Sequence, residues 1–289
     1  MLTVIIPAFN EVQSLPLLLS ELIAYCNERH WKIIVVNDGS KDDSRDVLGL
    51  YAGQESFRVI HHKLNKGYGA ALKSGLQACN TRYAVTIDAD GQHFLEDIDK
   101  LLACMISNDA DLVVGSRKGS ASRSSYRGMG KSIIRFLAKM LMTVPIHDLN
   151  SGMKIYDTKL AKKYLHLAPD TMAFSDIITL VFINNRHLVL EEPISIRKRK
   201  FGNSTIGLQT AFQTIMEILN IVILFNPMKI FLPCSLLCFI ITGFWGIPLL
   251  IAGRGLSIGS LMGAIMGILL FLLGLIAEQL SLIRRNLHN

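Results

Sequence analysis

Apolar and polar positions follow three patterns along the chain. In the first, short apolar runs without alternation stand at 2–6, 32–36, 57–61, 83–87, 111–115 and 187–191. Runs of that length bounded by turn residues predict strands covered on both faces. Between the first five lie segments with helical spacing, Ser14–Glu28, Lys41–Tyr51, Gly67–Ala78 and Glu96–Ser107. Strand alternating with helix predicts an α/β domain around a mostly parallel, doubly wound sheet, placed at 1–205. Ligands of such sheets gather outside the carboxyl ends of the strands. Those ends are Pro7–Glu11, Asn37–Ser40, Asp88–His93 and Gly115–Arg117.

The second pattern is continuous apolarity. No charge occurs from Ile230 to Gly253, nor from Gly255 to Ala277, and each stretch is long enough to cross roughly 30 Å of hydrocarbon as a helix. A transmembrane hairpin at 229–283 follows, with spans 230–253 and 256–279 and a tail at 284–289. Lys229 before it and Arg284 and Arg285 after it predict both outer ends in the cytoplasm. Gly255, Gly259, Gly263 and Gly267 form a small-residue stripe that either packs the hairpin internally or joins protomers; a homo-oligomer is the expectation.

The third pattern is amphipathic. In 127–142, Arg127, Lys131, Arg135 and Lys139 recur every four residues against Ile133, Phe136, Leu137 and Met140. A second segment, 206–228, sets Gln209, Gln213, Glu217 and Asn220 against a wide apolar face. Beside an anchor, both predict helices lying among lipid headgroups, with an ordinary surface helix as the alternative for the first.

Composition narrows the partners. The 289 residues are 50% hydrophobic with a net charge of +7. A basic protein suits nucleic acid, anionic lipid or phosphorylated substrates. Without zinc-finger spacing, an RNA-binding signature or a long basic run, nucleic acid is not expected. Five scattered cysteines without a CxxC fit a reducing compartment. The start MLTVIIPAF reads as a strand, not a signal peptide, which places the first domain in the cytoplasm.

The candidate chemistry sits in YAVTIDADGQH (83–93), where a strand ends in two carboxylates one residue apart. Hard oxygen ligands so placed suit Mg²⁺ or Mn²⁺, and the ion would hold the phosphates of a nucleotide. Gln92 and His93 could add a ligand or a hydrogen bond. Alone, Asp-x-Asp is equally an Asx-capped turn. Asp38 adds a carboxylate after the second strand, and Asn65–Ala71 is a small-residue loop opening a helix, suited to close backbone approach or to a phosphate.

IIPAFNE (5–11), VVNDGSKD (35–42), NKGYGAAL (65–72), DADGQH (88–93), GSR (115–117) and DLNSGMKIY (148–156) stand in an order that resembles glycosyltransferase family 2, of GT-A (Rossmann-like) fold. With RKRKFGNSTIG (197–207) and the hairpin, nearly the whole chain resembles the polyprenyl-phosphate branch, which includes dolichol-phosphate mannose synthase and bacterial undecaprenyl-phosphate glucosyltransferases.

The resemblance implies an inverting, metal-dependent transfer from a nucleotide-sugar, UDP-glucose or a related UDP-sugar, to a polyprenyl phosphate at the cytoplasmic face of the inner membrane. GDP-mannose is the alternative donor, and a non-catalytic nucleotide-sugar-binding protein the alternative of another class. Pro7, Phe9, Glu11, Asp38 and Lys66 are implied at the nucleotide, with Asp88 facing the donor and Asp90 and Gln92 holding the metal. Arg117, Arg127, Ser132 and Arg199 are implied at the acceptor phosphate, and Asp88, Asp90 and Arg117 as catalytic. A phosphate acceptor is already ionised, so no dedicated base is expected; Asp148 and Asp176 are held in reserve. Trp31 and Trp245 are the only tryptophans and neither follows an arginine, against the Gln-x-x-Arg-Trp of processive polysaccharide synthases. The first loop lacks the glycine-rich, basic character of nucleotidyltransferases.

Overall fold

The computed structural model describes residues 2–117, 145–197, 223 and 226–286. Segment 127–142 and most of 206–228, with Arg127, Ser132 and Arg199, lie outside the described residues. The chain divides into two compact units: Met1–Ser125 with Val144–Ile206, and Tyr126–Thr143 with Gly207–Asn289.

In the first unit, five strands alternate with four helices: β1 (Leu2–Ala8), α1 (Leu15–Glu28), β2 (Lys32–Asn37), α2 (Ser44–Gly49), β3 (Phe57–His61), α3 (Tyr68–Ala78), β4 (Tyr83–Thr86), α4 (Glu96–Ser107) and β5 (Leu112–Ser116). Then come β6 (Lys154–Asp157), α5 (Thr158–Tyr164), α6 (Phe174–Asn184) and β7 (Val189–Pro193). The sheet order is β3-β2-β1-β4-β6-β5-β7, parallel except for β6, which runs antiparallel to both β4 and β5.

Local chemistry sets the boundaries. α2 is shorter than its sequence pattern, because Asp42 accepts from Val12 N (3.1 Å) and Ser44 N (3.1 Å) and so belongs to the loop. α4 opens on Glu96, Asp97 and Asp99, which favour a helix N-terminus. α5 starts where Asp157 accepts from Leu160 N at 3.0 Å. β6 is the strand the hydrophobic pattern does not announce: it has four residues and opens on a lysine.

β1 and β2 pair as far as Ala8↔Asn37, but β1 and β4 stop at Ile5↔Thr86, closed by Ile87 N to Ile5 O at 3.1 Å. Pro7, without an N–H, has nothing to donate towards β4, so that ladder cannot continue. The chain also changes side here, since β2 and β3 lie to one side of β1 and β4 to the other. A crevice opens at this switch point, where such sheets take ligands. One face of the sheet packs Val4, Ile6, Val35 and Val85 against Leu15, Leu19, Leu22, Ile98 and Leu101. On the other, a Cβ added to Gly75 of α3 would overlap Ile5, so helix and strand backbones lie close.

The second unit contains α7 (Met228–Ile251) and α8 (Ile258–Asn286), both long and apolar enough to cross a membrane. They pack as a hairpin along a small-residue seam. Gly263 abuts Thr242, Gly267 the Phe239 ring and Gly274 Phe231, while Ser235 Oγ donates to Gly267 O at 2.8 Å. The glycine stripe therefore works inside the hairpin at 263 and 267, while Gly255, at φ +74°, forms the turn. Phe244 and Trp245 project outward.

Candidate active site

The crevice holds a cavity of about 430 Å³ whose walls include Pro7, Phe9, Glu11, Asp38, Asp88 and Asp90. Tyr68, Asn150, Gly152, Met172 and Ser175 complete the part relevant below. Six of the residues expected from the sequence thus meet on one surface. Lys66 and Gln92 join them by hydrogen bonds to Asp38 and Asp90, and Arg117 bonds to Asn150 of the same cavity.

The β1–β2 side is a network of mutual caps. Asn10 N donates to Ser40 Oγ (3.0 Å), Lys41 N to Asn10 Oδ1 (2.8 Å) and Glu11 N to Ser44 Oγ (3.0 Å). Asp38, 2% exposed, accepts from Lys66 N (3.0 Å) and Gly67 N (2.8 Å), and its Oδ1 pairs with His62 Nδ1 (2.6 Å). His62 Nε2 in turn meets Ser74 Oγ at 2.9 Å. Lys66 therefore contributes its main chain to Asp38. Gly69 N and Ala70 N both donate to Asp170 O (2.9 and 3.3 Å). Four N–H groups at the start of α3 are thus taken by the protein, and its glycines serve a close backbone approach. A Cβ on Gly67 or Gly69 would overlap the 169–171 turn.

The β4–β5 side concentrates charge. Tyr68 Oη donates to Asp88 Oδ1 at 2.9 Å, and His93 Nε2 lies 3.6 Å from Asp88 Oδ2. Burial opposes ionisation of Asp88, but His93, Tyr68 and Arg117 outweigh it and hold the carboxyl below its ordinary value. Burial together with Asp88 raises the Tyr68 phenol well above its own. Gly152 lies flat against the Asp88 carboxylate, where any Cβ would overlap it.

Arg117 grips Asp148 bidentately, Nε to Oδ2 at 2.6 Å and Nη2 to Oδ1 at 2.7 Å, and Nη2 also reaches Asn150 O at 2.8 Å. Asp148 keeps its carboxyl below the ordinary value despite burial, because Arg117 bonds it. Asp148 is thereby occupied as the arginine's partner. Among the described residues, Nη1 of Arg117 has no hydrogen-bond partner, which leaves that edge for an anion. Glu191 accepts from His147 N (3.0 Å) and Asp148 N (2.9 Å) and fixes the segment behind the pair.

Asp90 Oδ1 accepts from Gln92 N at 3.1 Å, and Gln92 Nε2 donates to Arg197 O at 3.4 Å. Among the described residues no three His, Cys, Asp or Glu side chains converge as a metal cage. Two carboxylates and a carboxamide are nevertheless a hard oxygen set that fits Mg²⁺ or Mn²⁺ completed by phosphate oxygens. Tyr68 and Lys154 stand inside the quoted segments NKGYGAAL and DLNSGMKIY, but the sequence gives neither an individual role.

Residues 3–165 match the model for glycosyl transferase family 2, and residues 226–283 match the GtrB C-terminal hairpin. Polyprenol monophosphomannose synthase of Mycolicibacterium smegmatis is 33% identical over 213 residues, 70% of this chain and 79% of that protein. Dodecaprenyl-phosphate galacturonate synthase of Rhizobium johnstonii is 26% identical over 224 residues, 76% of this chain and 66% of its own. Among solved structures, glucosyl-3-phosphoglycerate synthase from Mycobacterium tuberculosis, in complex with Mn²⁺, UDP-glucose and phosphoglyceric acid, shares the fold at TM-score 0.55 and 16% identity, covering 77% of this chain and 79% of its own.

Proposed function

This chain belongs to glycosyl transferase family 2, and from that premise we propose that it moves a sugar from a nucleotide-sugar to a polyprenyl phosphate at the cytoplasmic face of a membrane. UDP-glucose or a related UDP-sugar is the proposed donor and undecaprenyl phosphate the proposed acceptor. The observation that carries the reading is the cavity at the β1/β4 crevice, lined by Asp88 and Asp90 and backed by Arg117 through Asn150, in a chain that also bears the apolar hairpin. The relatives' names, both of sugar transfer to a prenyl phosphate, support it.

In this proposal the nucleoside lies toward Pro7, Phe9, Glu11 and Asp38, and Asp88 faces the sugar. Asp90 and Gln92 would hold Mg²⁺ or Mn²⁺, which when bound supplies positive charge to the departing diphosphate. The acceptor phosphate oxygen attacks the anomeric carbon opposite the leaving group. The new C–O bond forms as the bond to the nucleoside diphosphate breaks, and the configuration inverts. Arg117 draws the acceptor anion toward a donor of like charge. With both termini in the cytoplasm, the hairpin would keep the cavity near a lipid-borne substrate.

A donor panel tests this. Protein in detergent receives undecaprenyl phosphate, Mn²⁺ or Mg²⁺, and labelled UDP-glucose, UDP-N-acetylglucosamine, UDP-galactose or GDP-mannose. Metal-dependent label in the organic phase from one UDP-sugar is the expected result. Label from GDP-mannose alone would move the donor to the second reading, which the mycobacterial relative favours. No label with nucleotide bound would leave a binding protein.

A further inference from the structure

Lys154 opens β6 and is fully buried. Lysine goes fully inside only with partners, and this one has three: Nζ donates to Leu149 O (2.6 Å), Ser175 O (2.5 Å) and Thr179 Oγ1 (2.7 Å). Three acceptors fit the three N–H bonds of an ammonium, whereas a neutral amine brings two. The charged groups facing it are Asp148 from the 148–152 turn, Asp176 from α6, Asp88 beyond the end of β4 and Arg117 beyond the end of β5.

The turn that Lys154 grips forms the floor of the cavity. Its four successive carbonyls are each held by a different side chain: Leu149 O by Lys154, Asn150 O by Arg117 (2.8 Å), Ser151 O by Ser175 Oγ (2.7 Å) and Gly152 O by Thr86 Oγ1 (2.8 Å). Gly152 is the residue that lies against Asp88. A buried cation in this place ties the turn to α6 and adds positive charge beneath three carboxylates.

We propose that Lys154 is a positioning residue for sugar transfer: its buried ammonium fixes the 149–152 turn under Asp88 and offsets carboxylate charge that Arg117 would otherwise face alone, so that Arg117 can meet the acceptor anion. The inference rests on the transfer reading above. Burial pushes the ammonium down to about 7, with Asp176 and Asp148 pulling it back up. The ammonium is thus the main form below neutral pH and is lost as pH rises through about 7.

The test compares Lys154→Met with the wild type in the detergent assay. The variant should melt cooperatively, bind nucleoside diphosphate as the wild type does, and lose about 100-fold in kcat. Wild-type kcat should fall as pH rises through about 7, and the variant's residual rate should lack that limb. A kcat within about 3-fold of wild type, or a loss confined to donor KM, overturns the inference while leaving the transfer reading intact. A wild type silent with every donor overturns the reading and this inference with it. Should Lys154→Met not fold, Thr179→Val removes one acceptor and keeps the lysine. It should lower kcat several-fold and move the basic limb to lower pH; an unmoved limb with full kcat overturns the proposal.

Discussion

On the β1–β2 wall of the cavity, Asp38 is buried and receives His62, Lys66 N and Gly67 N. On the opposite wall, Asp88 receives Tyr68 and His93 and looks onto Asp90, with Arg117, Asp148 and Lys154 close behind. Both walls use carboxylates, and the difference lies in what answers them. The first wall answers one carboxylate with main-chain N–H groups and an imidazole, which gives shape. The second answers several carboxylates with two cations and leaves charge facing the cavity, where we propose that a metal ion and anionic substrates bind. Removing a group from the first wall should therefore cost stability, and removing one from the second should cost rate.

The most severe test of that contrast is Asp90→Asn. It should leave the melting temperature within a few degrees of wild type and lower kcat about 1000-fold, or ~4 kcal/mol. Turnover at the wild-type rate with saturating Mn²⁺ would remove Asp90 from the metal site. Arg117→Ala should follow, raising KM for the prenyl phosphate about 30-fold while nucleotide affinity, read by calorimetry, stays put. Equal weakening of donor and acceptor would dissolve the distinction between their sites.

On the other wall, Asp38→Asn sets an amide NH₂ against donors that now meet a carboxylate. It should cost about 2 kcal/mol in urea unfolding. A variant as stable as wild type would show that this wall is not held by Asp38.

The smallest effect concerns acid. Asp148 has a folded value below its ordinary 3.8, so its stabilisation is complete above that value and is lost as pH falls through the folded one. Arg117→Ala removes the cause of the shift. Acid unfolding followed by circular dichroism should begin at higher pH in that variant than in wild type.

The alternation of unbroken apolar runs with helical spacing made β1 to β5 and α1 to α4 legible, because buried parallel strands have no polar face to confuse the pattern. β6 escaped because it is four residues long and its first is a lysine, which periodicity assigns to the surface. Only the three oxygens around its Nζ explain the burial, and they come from positions 149, 175 and 179. The carboxylates were legible as strand-end residues, since Asp38, Asp88 and Asp90 lie where a doubly wound sheet opens. The start of α3 was ambiguous for a similar reason. Its glycines signal a close approach, but the approaching group is Asp170, a hundred residues away.

The strand order also sets a timetable for synthesis. β3, β2, β1 and β4 are consecutive in the sheet and complete by Thr86, so that half can assemble while the rest of the chain is still being made. β5 cannot join it directly, because β6 lies between β4 and β5 and is made later. Until Lys154–Asp157 leave the ribosome, the outer edge of β4 has no partner and β5 has no place. The nascent protein therefore passes through a stage with an open sheet edge, the kind of surface that invites mispairing and chaperones. That stage ends with β7 at Pro193, before the first of the two long apolar helices begins at Met228, so the sheet can close before the hairpin is made.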